Sequence, residues 1–159
     1  MKKLDRRKFL KIAGAGGAAA TVAACDQPTA PAIVESMPTL TWRLTSSFPK
    51  SLDTIYGASE TFARVVSEMT DGKFTIQVFA AGEIVGGLQA ADAVSDGTVE
   101  AAHTASYYYW GKDPTFAIAT CIPFGINCRM QNAWMYDGGG IALMNAFYQR
   151  YHIFGRPGG

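Results

Sequence analysis

The sequence predicts an α/β fold built on a βαβ unit, and three observations carry that expectation. Lys73 to Ala80, KFTIQVFA, alternates Phe74, Ile76 and Val78 with Thr75, Gln77 and Phe79, the period of two that a strand requires. Thr39 to Thr45, TLTWRLT, is rich in β-branched residues and carries Trp42, which fits a second strand. Between them Ile55, Phe62, Val66 and Met69 recur at helical spacing, with Glu60, Arg64 and Glu68 mostly on the other side. Strand, helix and strand within about 40 residues make a right-handed parallel crossover the natural connection.

Composition permits such a fold. The chain has 159 residues, 48% hydrophobic and 12% aromatic, enough for a real core. Its formal charge of +1 conceals an asymmetry: six of the 14 Lys/Arg fall before Cys25, and the remainder is acidic by about four charges. No basic stripe exists, so nucleic-acid binding has no electrostatic support.

The first 24 residues read as an export signal. Lys2 to Lys11, KKLDRRKFLK, places Arg6-Arg7 before Phe9-Leu10, and an Ala/Gly-rich run follows from Ile12 to Ala24. That run is about 13 residues, whereas a membrane-spanning helix needs ~20 strongly apolar ones. The twin arginine with Phe-Leu-Lys resembles a Tat signal, with Asp5 where Ser or Thr is usual. Val22-Ala23-Ala24-Cys25 resembles a lipobox, which would make Cys25 a lipidated N-terminus; the alternative is ordinary cleavage with Cys25 incidental. Asp26 stands where enterobacterial lipoproteins carry an inner-membrane retention signal. Residues 25 to 38, with prolines at 28, 31 and 38, are expected to be a flexible tether.

From residue 39 onward the chain is expected to form one α/β lobe. Ser46, Ser47 and Phe48 follow the first strand, and loops beyond the carboxyl ends of α/β strands are where ligands meet the fold, so all three are binding candidates. A solvated turn stopped by Pro49 is the competing reading. Ser51 or Asp53 is placed to cap the helix, and Gly72 to end it. Glu83 in the Ala81–Gly87 loop shapes the cleft through backbone hydrogen bonds or stays solvated; the loop's glycines match no phosphate-binding fingerprint. Leu88 to Ser95 reads as a short helix and Val99 to Thr104 as a third strand. His103, a lone histidine without a partner at metal or triad spacing, is expected to be a hydrogen-bonded core residue.

Tyr107, Tyr108, Tyr109 and Trp110 then come consecutively. An extended run would turn Tyr107 and Tyr109 to one face and Tyr108 and Trp110 to the other, and the first pair is expected to meet a ligand; packing of all four rings is the alternative. Cys121 and Cys128 are separated by six residues. Export permits a bridge between them, but Tat cargo folds in a reducing cytosol, which favours two buried thiols, and a zinc site would lack two ligands. Met130, Trp134, Ile141, Met144 and Tyr148 keep helical spacing across Gly138-Gly139-Gly140. Three glycines cost a helix interior roughly 2 to 3 kcal/mol against alanine, so two helical pieces are expected. His152 to Gly155 reads as a fourth strand.

The words TWRLTSSFPKSLDTIYG, AAGEIV, GTVEAAHTA, HTASYYY and GKDPTFA, in this order from Thr41, resemble the DctP-type periplasmic solute receptors of TRAP transporters, and most closely their 2-oxo acid branch. The resemblance runs to Gly159 and implies the first lobe of a two-lobed periplasmic solute-binding protein. The family continues from this point into an Asn-Thr-Gly turn and a second lobe carrying the arginine that grips the substrate carboxylate, so the lobe is expected to be incomplete. It further implies capture of small carboxylates, with 2-oxo acids such as pyruvate in view, for membrane subunits of the transporter. No cofactor is implied, although a Na+ ion bound with the substrate and a homodimer are both compatible with the family. Localisation would be periplasmic, tethered to the inner membrane if Cys25 is lipidated. No nucleophile and base pair, metal set or phosphate cradle argues for catalysis. Two alternatives stand beside this: an exported Tat-dependent enzyme, which would need a cofactor signature the sequence lacks, and a nonfunctional truncated receptor.

Overall fold

The computed structural model describes residues 38–158. The export signal, Cys25 and nearly all of the expected tether therefore lie outside the described residues. Within them, β1 (Leu40–Ser46), β2 (Phe74–Phe79) and β3 (Ala101–His103) form a sheet in the order β2-β1-β3, with both pairings parallel. Parallel neighbours need a crossover, and α1 (Asp53–Met69) supplies the one between β1 and β2. The βαβ reading is borne out.

The register fixes which side chains share a face. Leu40, Trp42 and Leu44 stand beside Phe74, Ile76 and Val78, and Ala101 joins beside Leu44. Leu44, Ile76 and Ala63 of α1 are the buried centre of this face, with Val66, Phe74, Val78 and Ala101 packed around them. Small Ala63 lets the helix approach the sheet closely.

The roll of α1 differs from the expectation. Tyr56, Ser59 and Ala63 are buried, whereas Ile55, Phe62 and Met69 are exposed, Met69 at 80%. Of the four residues expected inside, Val66 alone packs on the core. Helix α1 carries two apolar stripes, and hydrophobic periodicity reports both without saying which one the sheet selects. Nor does Ser51 or Asp53 cap it: Leu52 holds the N-cap position without a side-chain bond. At the other end Thr70 Oγ1 bonds the Val66 carbonyl at 2.8 Å and accepts the Phe74 N–H at 3.1 Å, joining helix to strand.

A second core cluster gathers Ala91, Tyr109, Phe116, Met144 and Phe147. It draws on α2 (Ala90–Ser95), two 3-10 turns (Ser106–Tyr109 and Pro114–Ala119), α3 (Cys128–Tyr136) and α4 (Gly140–Tyr148). The break between α3 and α4 falls at the three glycines, as expected. Gly139 sits at φ +82°, a conformation that glycine adopts without a Cβ penalty. A Cβ on Gly140 would come within 2.9 Å of Trp134 and Met135 atoms.

The expected fourth strand is absent among the described residues. Instead Gln149–Tyr151 makes a 3-10 turn, and His152 turns the chain at φ +56°. Asn145 then satisfies the next backbone groups: its Nδ2 donates to the Gly155 carbonyl at 3.0 Å, and its Oδ1 accepts the Gly155 N–H at 2.7 Å. A buried side-chain amide has taken the place of a ladder partner. Cys121 and Cys128 also depart from expectation, since both are free and exposed rather than buried.

Candidate functional site

The carboxyl ends of β1 and β3 meet the aromatic run, and their polar groups form one connected chain. The Ser47 N–H donates to the His103 carbonyl at 2.8 Å, extending the β1–β3 ladder past the strand ends. Ser47 Oγ lies 2.6 Å from both the Gly87 carbonyl and Thr104 Oγ1. Ser47 has a single proton, and the geometry at its Oγ makes it the donor towards either oxygen. Thr104 Oγ1 is 2.7 Å from the Tyr109 hydroxyl, which in turn accepts the Ala91 N–H at 3.1 Å. Ala91, Tyr109, Thr104, Ser47 and Gly87 are thus joined in one run of hydrogen bonds.

The aromatic run itself is folded differently from the expectation. Ser106–Tyr109 is a 3-10 turn, closed by Tyr108 N–H to the Ala105 carbonyl and Trp110 N–H to the Tyr107 carbonyl, both at 3.1 Å. Strand-like alternation is lost, and Tyr107 and Tyr109 part company. Tyr109 is buried against Phe116, while Tyr107 is exposed with its ring edge-on to Tyr108 at 4.7 Å. Ser106 Oγ, 2.9 Å from the Tyr148 hydroxyl, ties the turn to α4.

Phe48 completes the wall. Its half-buried ring lies 5.1 Å from the His103 ring and 6.1 Å from Tyr108, centroid to centroid. Ser46 is wholly buried behind it, and its Oγ accepts the Phe48 N–H at 3.1 Å. Glu83 stands at the edge: Lys50 Nζ donates to Oε1 at 2.7 Å and the Ala80 N–H to Oε2 at 2.8 Å. Those two bonds, the lysine first, hold its carboxyl below the usual range.

The six candidates thus divide by what they touch. Phe48 and Tyr107 present rings on one wall, together with Tyr108. Ser46, Ser47 and Tyr109 turn inward and brace it. Glu83 fixes the adjoining loop through a backbone bond, one of the two readings open from sequence.

Sequence reasoning missed Thr104, the central link of the hydroxyl chain, because the expected third strand runs through it; β3 ends at His103 and leaves Thr104 one residue beyond, as Ser47 is beyond β1. It also misjudged His103, whose Nδ1 is buried with no hydrogen-bond partner among the described residues. Burial pushes its pKa below the ordinary value, which favours the neutral ring.

Among the described residues, four arginines are engaged elsewhere. Arg43 forms a two-pronged pair with Glu100 at 2.9 and 3.2 Å on the sheet, Arg64 pairs with Glu68, and Arg150 lies over the Phe147 ring. Arg156 covers Phe154. An open recess along α1, between Phe62, Val65 and Gly158, shares no residue with the wall. The rings of Phe48, His103, Tyr107 and Tyr108 make this an aromatic surface.

Comparison with known proteins places these residues in context. Residues 45–153 match the model for bacterial extracellular solute-binding protein, family 7, and residues 3–23 match the twin-arginine translocation pathway signal sequence. A monocarboxylate 2-oxoacid-binding periplasmic protein of Nostoc sp. is 46% identical over 156 residues, covering 98% of this chain and 43% of its own length. A TRAP transporter solute-binding protein from Bordetella bronchiseptica, with calcium and picolinate in its active site, superposes with a TM-score of 0.72 at 45% identity, over 74% of this chain and 35% of that one. One from Pseudoalteromonas atlantica, with bound sodium and pyruvate, does so with a TM-score of 0.71 at 38% identity, over 76% and 37%. This chain therefore spans less than half the length of these relatives.

Proposed function

Because this chain belongs to the bacterial extracellular solute-binding protein family 7, we propose that its α/β lobe, residues 39–159, forms one wall of a periplasmic receptor for small 2-oxo carboxylates. The observation that carries the reading is the Phe48–His103–Tyr108 cluster at the carboxyl ends of two adjacent parallel strands, with Tyr107 exposed beside it. Flat rings with few charges contact the planar body of a 2-oxo acid, and the carboxylate needs a cation or guanidinium supplied from elsewhere. The relatives' pyruvate, picolinate and monocarboxylate 2-oxo acids fit that chemistry.

The receptor would hand its ligand to TRAP membrane subunits. Its role is binding rather than catalysis. Relatives hold sodium or calcium with their ligand, but no three His, Cys, Asp or Glu side chains come together as a metal site among the described residues. A twin-arginine signal fits periplasmic export, and the resemblance of Val22–Cys25 to a lipobox is the reason for proposing a tether through Cys25.

A chimera tests the substrate class. This chain would be joined to the remaining part of the Nostoc relative and titrated by thermal shift with pyruvate, a longer 2-oxo monocarboxylate and succinate. Stabilisation by the 2-oxo acids, weakened by Phe48→Ala, supports the proposal. A correctly folded chimera that responds to no carboxylate would sink it.

A further inference from the structure

We propose that Cys121 and Cys128 close an intramolecular disulfide under oxidising conditions, stapling the Pro114–Ala119 turn to the start of α3. Two segments are joined here by a side-chain hydrogen bond. Gln131 Nε2, in the first turns of α3, donates to the Ile118 carbonyl at 2.9 Å. Cys128 lies three residues before Gln131, and Cys121 three residues after Ile118. That hydrogen bond ties the two cysteine-bearing segments to each other, three residues from each thiol. The connection between them reverses tightly: the Gly125 N–H bonds the Ile122 carbonyl at 2.9 Å, and Phe124 holds φ +60° after Pro123.

Both thiols are free and exposed, and every residue from Cys121 to Met130 is exposed. No buried side chain in that stretch restrains the backbone from reaching the Cα separation of roughly 4.4–6.8 Å that a disulfide needs. Each cysteine is nevertheless held at its base. The Cys121 N–H bonds the Ala117 carbonyl at 3.0 Å, and Asn127 Oδ1 caps α3 through the Met130 N–H at 3.0 Å.

The oxidant is a low-molecular-weight disulfide such as oxidised glutathione. One protein thiolate attacks it and releases one glutathione thiol; the other attacks the mixed disulfide and releases the second. One protein S–S bond forms, one glutathione S–S bond breaks, and both protons leave on glutathione. Folding in a reducing cytosol before export would keep the pair open, so the bridge closes on arrival in an oxidising compartment.

Trypsin reads the result directly, since Asp113–Arg129 contains both cysteines and no internal Lys or Arg. The full chain carrying Cys25→Ser is treated with oxidised glutathione while native, acid-quenched and digested without reduction. The expected peptide is lighter by two hydrogens, refuses an alkylating reagent until reduced, and derives from monomeric protein. Two glutathione adducts, two unmodified thiols or a bridge between molecules would each overturn the proposal. With Cys128→Ser the glutathione adduct on Cys121 should persist, because no second thiol expels it; its prompt loss would equally count against the bridge. None of these readouts depends on carboxylate binding.

Discussion

The Tyr109 hydroxyl lies 2.7 Å from Thr104 Oγ1 and is the point where the aromatic turn is fastened to the sheet. Through Thr104 it reaches Ser47 at the end of β1, and through its accepted bond it holds the Ala91 N–H of α2. Tyr109→Phe keeps the ring against Phe116 but removes the group that links a buried N–H to the threonine. The expected loss is about 1–3 kcal/mol, the cost of stranding buried polar groups, read from urea denaturation. Unchanged stability would mean that water replaces the hydroxyl.

Tyr107 should behave in the opposite way. Its ring is exposed and touches Tyr108 rather than the core. Tyr107→Ala is expected to change stability by less than about 0.5 kcal/mol. In the receptor chimera it should weaken pyruvate by several-fold, in keeping with roughly 0.5–1.5 kcal/mol for an aromatic contact. Calorimetric titration giving equal affinities would remove Tyr107 from the wall.

Glu100 provides a pH signature. Its carboxylate accepts three bonds from Arg43, two from the guanidinium and one from the backbone N–H, and the pKa is pulled down to about 2 from 4.5. A carboxyl depressed in the folded state contributes fully above its unfolded pKa and loses that contribution as pH falls towards the folded value. Stability should therefore decline between about pH 4.5 and 2. Glu100→Gln should flatten that part of a Tm-against-pH profile, modestly because the pair is solvent-exposed; an unaltered profile would show that other carboxyls carry the acid response.

Gly139 is the position where a methyl group should be resisted by the backbone alone. Beyond its chain neighbours no atom lies within 4 Å of where a Cβ would sit, yet φ is +82°. Gly139→Ala is expected to cost about 1–2 kcal/mol by thermal denaturation. At Gly72, where φ is +72° and space is also open, the same substitution should cost a similar amount. A neutral result at both would indicate that these turns relax.

Cys25 tests the tether. Cys25→Ala should move the mature protein from the membrane fraction to the soluble periplasmic fraction, and identical fractionation of both forms would rule out a lipid anchor at this residue.

Much of this architecture is legible from local chemistry. Alternation in KFTIQVFA marks β2, the triple glycine marks the break between α3 and α4, and the HTASYYY and GKDPTFA words point to the family that residues 45–153 match. What escaped depends on contacts made at a distance. Helix α1 offers two apolar stripes, and only the sheet decides that Tyr56, Ser59 and Ala63 face inward. Four successive rings have no hydrophobic period, so nothing local separates a strand from the 3-10 turn that buries Tyr109 and exposes Tyr107. The fourth strand fails because Asn145, ten residues back, supplies the bonds a neighbouring strand would have given Gly155. Candidate residues were found by position along strands, whereas their division into wall and brace follows from hydroxyl partners far apart in sequence.

The strand order β2-β1-β3 sets a timetable for the chain's birth at the ribosome. The central strand is synthesised first, and its edges stay bare until residues 74–79 and then 101–103 emerge to flank it. Pairing across such separations is slow, because the intervening loop must be ordered before any ladder bond rewards it. A twin-arginine leader, which residues 3–23 match, suits that delay: passengers of this pathway cross after folding, which would let the lobe complete its sheet before export.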